Sequence, residues 1–94
     1  RPPLILEASP ASSNEVRLAW RVDDPAMRLL RGSLLRSQAP DWSAFTEIRA
    51  LGPADRDHVD AGRAPSTKYL YRLTAEPAGS PVPWHAQTTA TTPA

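Results

Sequence analysis

Thr67-Lys68-Tyr69-Leu70-Tyr71-Arg72-Leu73-Thr74-Ala75 is the stretch on which the fold turns. Tyr69, Tyr71, Leu73 and Ala75 alternate with Lys68, Leu70, Arg72 and Thr74, the period-two pattern of a strand that buries one face. Asp60-Ala61-Gly62 and Ala64-Pro65 punctuate the chain before it, and Pro77-Ala78-Gly79-Ser80-Pro81 breaks it after Glu76. Working outward, the same grammar repeats. Residues 15–22 alternate with Val16, Leu18, Trp20 and Val22 on one face. Residues 4–8 form a short apolar run closed by Ser9-Pro10, and residues 45–49 and 56–59 read as two more short strands. Residues 82–89 form a last extended run, with Pro81 and Pro83 near its start, which suits an edge strand or a bulge.

Residues 27–38 stay open on local pattern. Asp24 fits a helix cap with Pro25 at the first position, and Met27, Leu30 and Leu34 fall at helical spacing. Gly32 opposes this, since glycine costs about 1 kcal/mol relative to Ala inside a helix. As a strand, Leu30, Gly32 and Leu34 face one way, and Leu29, Arg31, Ser33 and Leu35 the other.

Composition narrows the function classes. The chain has 94 residues, of which eleven are proline and none cysteine. Proline disfavours a helical bundle, and the missing thiols exclude disulfides, thiolate metal sites and Cys nucleophiles. A formal net charge of +1 lacks the basic excess of a nucleic-acid binder. Arg31 and Arg72 fall on one outer face, with Arg28 and Arg36 near its edges, which reads as a solvated charged face. No apolar run approaches the roughly 20 residues of a membrane span. The opening Arg1-Pro2-Pro3-Leu4 carries no signal-peptide pattern, and the sequence reads as a piece of a longer chain. Thr88-Thr89-Ala90-Thr91-Thr92-Pro93-Ala94 resembles the start of a solvated linker. This gives a domain over residues 1–90 and a linker from 91–94.

In order and spacing, these elements resemble a fibronectin type III domain over nearly the whole chain. The resemblance is carried by residues 60–75, with a turn, Ala64-Pro65-Ser66-Thr67 and then Tyr69-Leu70-Tyr71-Arg72-Leu73-Thr74-Ala75. Trp20 on the second alternating strand adds to it, as does Ser33-Leu34-Leu35-Arg36-Ser37 followed by Phe45-Thr46-Glu47-Ile48. It implies an all-β, seven-stranded immunoglobulin-like β-sandwich of three- and four-stranded sheets, and it turns the open segment into a strand. It also implies a tyrosine corner, Tyr69 reaching backbone near Arg63, and a core of Trp20, Tyr69, Tyr71, Leu73, Leu18, Ile48 and Leu34. Three positions depart from the family pattern: Gly32 for an aromatic, Arg63 for Leu and Ser66 for Gly.

Chemistry-bearing constellations are thin. Asp55-Arg56-Asp57-His58-Val59-Asp60 gathers carboxylates and an imidazole, but strand alternation splits them between two faces, and Asp60 reads as a turn cap. There is no Gly-x-Ser-x-Gly elbow, no phosphate loop and no dinucleotide fingerprint. The expectation is therefore no catalytic, cofactor or metal residues. What remains is apolar surface. Leu35 and Leu70 are expected to point outward beside Arg72, with Trp84 extending the stripe and Trp42 in a nearby loop, a candidate partner surface. Trp42, Trp84 and His85 would be the stacking groups of a carbohydrate site.

The leading expectation is a non-catalytic spacer module orienting neighbouring domains of the same chain in a larger, bacterial, extracellular, cell-surface or periplasmic protein, a location implied only by the resemblance. The alternative is a module that binds another protein or a polysaccharide, with no nucleic acid and no membrane involved.

Overall fold

The computed structural model describes residues 4–23, 28–79 and 82–94. The candidate helix cap at Asp24-Pro25 with Met27, the opening Arg1-Pro2-Pro3 and Pro81 lie outside the described residues. Seven strands follow in order: β1 Leu4–Ser12, β2 Glu15–Val22, β3 Leu29–Gln38, β4 Thr46–Leu51, β5 Asp57–Asp60, β6 Lys68–Pro77 and β7 Trp84–Thr91. They form two antiparallel sheets, β1-β2-β5 and β4-β3-β6-β7. No helix occurs among the described residues.

Alternation supplies the core. Val16, Leu18 and Trp20 from β2 meet Leu34 from β3 and Tyr69, Tyr71, Leu73 and Ala75 from β6, with Leu4, Leu6, Leu29, Leu51 and Ala90 completing the cluster. Ile48 packs on it from β4 while remaining partly exposed. A bulge explains its position: Leu34 pairs with Arg49 and Leu35 with Glu47, leaving Ile48 as the extra residue on β4. Trp20 is held at its polar end as well, since its indole N–H donates to the Asp55 carbonyl at 3.1 Å.

The open segment is a strand, and Gly32 has a steric reason to be glycine. A β-carbon there would lie 2.5 Å from the Thr74 carbonyl oxygen on β6. A second bulge, where Leu29 pairs with Pro77 and Arg31 with Glu76, turns Leu30 outward. Several boundaries run past their turn residues. Pro10 lies within β1 opposite Val16, and Pro77 closes β6 opposite Leu29, so neither prolyl ends its strand. The solvated tail is corrected too. β7 continues to Thr91, Thr92 is buried, and its hydroxyl donates to the Ala64 carbonyl at 2.7 Å. Ser66 N–H donates to the Pro93 carbonyl at 3.0 Å. These bonds tie the final residues to the β5–β6 loop.

The two described ends of the chain lie at opposite poles. Leu4 pairs with Val22 at one end of the first sheet, whereas Asp60 pairs with Val16 at the other, and Pro93 is bonded into the loop that follows Asp60.

Candidate functional site

Two regions outside the apolar core gather polar groups: the outer face of the four-stranded sheet, and the pole where the β3–β4 and β5–β6 loops meet.

On the outer face, Leu35 pairs with Arg72, and the two line a shallow groove of about 460 Å³ with Thr74, His85 and Gln87. The Gln87 amide oxygen accepts from Arg72 Nε and Nη2 at 3.0 Å. Thr74 Oγ1 lies 3.1 Å from His85 Nδ1. The Arg72 guanidinium rests 4.3 Å from the Phe45 ring centroid, and Phe45 in turn meets Trp42 at 5.9 Å. The stripe expected here is shorter than the sequence suggests. Leu70 is not exposed: only 1 % of its surface is accessible, although it lies outside the inter-sheet cluster. Its cross-strand neighbours are Ser37 and Thr89. The loop over this end of the sheet accounts for the burial, since Ser37 Oγ donates to the Asp41 carbonyl and Phe45 lies over Arg72. Trp84 is corrected as well. It pairs with Ala75 and packs against the inner cluster, on the opposite side of the sheet from Leu35. Trp42 stays 43 % exposed. The outer-face candidates that the structure brings together are therefore Leu35 and Arg72, with Trp42 reaching them through Phe45.

Arg36 leaves the outer face altogether. It sits two residues from Leu34 on the inward side of β3, and its Nη1 donates to both oxygens of Asp60, at 2.9 and 3.1 Å. Asp60 is not a turn cap; its side chain is 7 % exposed and accepts the Tyr71 hydroxyl at 2.8 Å. Burial first, and then the hydrogen bond and charge of Asp60, push the Tyr71 phenol far above its ordinary range. Arg63 approaches the same carboxylate, its Nε 3.6 Å from Oδ1, and its guanidinium lies 5.7 Å from the centre of the Tyr69 ring. Tyr69 accepts the Ala64 N–H on its hydroxyl at 2.9 Å. Arg36, Arg63 and Tyr69 line a cleft of about 320 Å³ with Ser37, Gln38, Asp41, Ala44 and Thr46.

The acidic run is dispersed. Asp55 accepts the Gly52 N–H at 2.8 Å and lies 3.5 Å from Arg49, while Asp60 belongs to the pole. His58 Nδ1 is 3.5 Å from Arg49 Nη1, where the β4 and β5 edges face each other. Burial, then the Arg49 charge, lowers its pKa against the opposing effects of Asp60 and Asp57. Among the described residues, no group of three or more His, Cys, Asp or Glu is placed to hold a metal ion.

The polar pole had one sequence signal. Arg36 continues the inward parity of Leu34, and Asp60 continues that of His58, so two charges of opposite sign share one interior.

Comparison with protein-family models and with curated proteins gives no match. Solved structures do resemble the chain. A pectate lyase from Erwinia chrysanthemi, solved in complex with tetragalacturonic acid, superposes with a TM-score of 0.73 at 18% identity; the match covers 92% of this chain and 27% of that one. A computationally redesigned β-sandwich protein gives 0.69 at 16% identity, over 98% of this chain and 96% of that one. A myokine structure gives 0.77 at 12% identity, over 99% and 97%. At these identities the likeness concerns fold alone: the chain is an all-β, immunoglobulin-like sandwich of seven strands in two antiparallel sheets.

Proposed function

We infer that this chain is a non-catalytic module of fibronectin type III type, which spaces and orients neighbouring domains of a larger extracytoplasmic protein. The observation that carries this reading is the separation of the chain ends. The chain enters at the Leu4 pole and leaves at the Thr92 pole, along a body whose longest extent is 43 Å. The exit is fixed rather than loose, because Thr92 and Pro93 are hydrogen-bonded to the β5–β6 loop. A following domain would therefore leave in a defined direction. The family assignment is supported by the division into three and four strands, the Trp20 position across the core and the Tyr69 hydroxyl on the β5–β6 loop. The test is replacement within the full-length protein. Exchange for an unrelated sandwich with the same end-to-end geometry keeps the parent activity, whereas a flexible Gly/Ser linker of equal residue count reduces it. Loss of activity with both replacements overturns the spacer reading.

A second reading, a module that binds a protein or glycan partner, is favoured by the outer groove of Leu35, Arg72, His85 and Gln87 beside the exposed Trp42. Leu35→Asp combined with Trp42→Ala addresses it while keeping the buried Leu70 side chain itself. Full-length protein that keeps all its associations after both changes excludes this surface.

A further inference from the structure

The pole cleft holds more positive hydrogen-bonding capacity than the fold consumes. Arg36 commits Nη1 to Asp60, and its Nε and Nη2 have no hydrogen-bond partner among the described residues. Arg63 directs Nε toward the Ala61 carbonyl at 3.4 Å, and neither of its Nη atoms has a partner among the described residues. Both side chains are mostly buried, with 21 % and 23 % exposed, and they line the wall of an open cleft. Two guanidiniums share one buried carboxylate, which leaves one positive charge on the inner wall. A planar carboxylate matches the paired donors of a guanidinium edge.

The remaining lining narrows the ligand. Asp41 borders the same cleft, and its Oδ1 accepts both the N–H and the hydroxyl of Ser43, at 2.9 and 2.6 Å. Those bonds hold Asp41 ionised, its pKa lowered first by the Ser43 hydroxyl. With the Asp41 carboxylate included, the cleft carries no net charge, so a polyanion such as phosphate or a dicarboxylate meets net repulsion at the rim. A monoanion keeps its single charge on the guanidinium wall and offers a hydroxyl to the rim carboxylate. Gln38 and Thr46 supply further polar groups without charge. We propose that the cleft between the β3–β4 and β5–β6 loops binds a hydroxylated monocarboxylate of the sugar-acid class. Arg36 and Arg63 grip its carboxylate, and Asp41 accepts one of its hydroxyls. The site goes beyond the spacer reading and does not depend on it.

The experiment is an NMR titration of the 94-residue chain at constant ionic strength, following the backbone amides of Ser37, Asp41 and Ala64. Sodium glucuronate shifts these amides saturably. Glucose, which lacks the carboxylate, does not, and acetate, which lacks the hydroxyls, binds about tenfold more weakly. Arg63→Gln weakens glucuronate about tenfold, with Arg63→Lys between it and the wild type. Asp41→Asn narrows the gap between glucuronate and acetate and admits inorganic phosphate. Both variants keep Arg36, Asp60 and Tyr71, but Arg63 also lies 3.6 Å from Asp60 and over the Tyr69 ring. Wild-type amide shifts for Leu18, Leu34 and Leu73 in each ligand-free variant, rather than the melting temperature, therefore verify that the fold is kept. Three results each overturn the proposal: no saturable shift with glucuronate, equal binding of phosphate or N-acetyl-glutamate amide by the wild type, or glucuronate affinity unaffected by Arg63→Gln.

Discussion

The Tyr71 hydroxyl donates to the Asp60 carboxylate at 2.8 Å, joining the central strand of one sheet to the edge strand of the other inside the sandwich. Tyr71 has no accessible surface, and Asp60 receives Arg36 as well. Removing the hydroxyl leaves a buried carboxylate with one donor fewer. Tyr71→Phe therefore costs about 1–3 kcal/mol of stability, measured by denaturant unfolding. Unchanged stability would mean that solvent or Arg63 replaces the phenol.

Gly32 gives a sharper steric prediction. A methyl group there meets the Thr74 carbonyl at 2.5 Å, and that oxygen belongs to a paired central strand that cannot easily retreat. Gly32→Ala destabilises by about 1–3 kcal/mol, the range for overpacking a tight contact. Strand propensity alone predicts the opposite sign, because alanine stiffens the unfolded chain. A thermal melt separates the two.

Ser66 carries φ 53°, a left-handed conformation in which a β-carbon is strained. Ser66→Gly relieves that strain and loosens the unfolded chain, for a net gain of up to about 1 kcal/mol. A lower melting temperature for Ser66→Gly would show that the serine side chain stabilises this turn by more than its conformation costs.

Parity made the sandwich legible: Val16, Leu18 and Trp20, then Tyr69, Tyr71 and Leu73, alternate so regularly that their buried faces follow from order alone. Parity failed where a third layer or a register choice intervened. Leu70 is outward by alternation yet buried, because burial on an outer face depends on the path of residues 39–45, which no local pattern encodes. Trp84 depends on how β7 registers against β6, and its pairing with Ala75 sends it inward. Arg36 and Asp60 sit 24 residues apart, and only the stacking of the two sheets brings a charge on each into contact. The pole cleft is built from such non-local pairs, so strand parity points each charge inward without showing that the two meet.

His58 gives the pH prediction. Its folded pKa lies below the ordinary 6.5, because burial and the Arg49 guanidinium 3.5 Å away disfavour the imidazolium more than Asp60 and Asp57 favour it. Above about pH 6.5 the ring is neutral in both states and contributes no pH dependence. As pH falls through 6.5, the unfolded chain takes up the proton first, so stability declines until the folded pKa is reached and then levels. Asp41 and Glu76, whose pKa values are lowered by hydrogen bonds to Ser43 and Arg31, act in a separate window below the ordinary carboxylate range. Thermal melts at about pH 7.5 and about pH 5.5 isolate the histidine window. The wild type loses melting temperature between the two, and His58→Gln loses less. An identical drop in the variant would assign the effect to another group and remove His58 from the account.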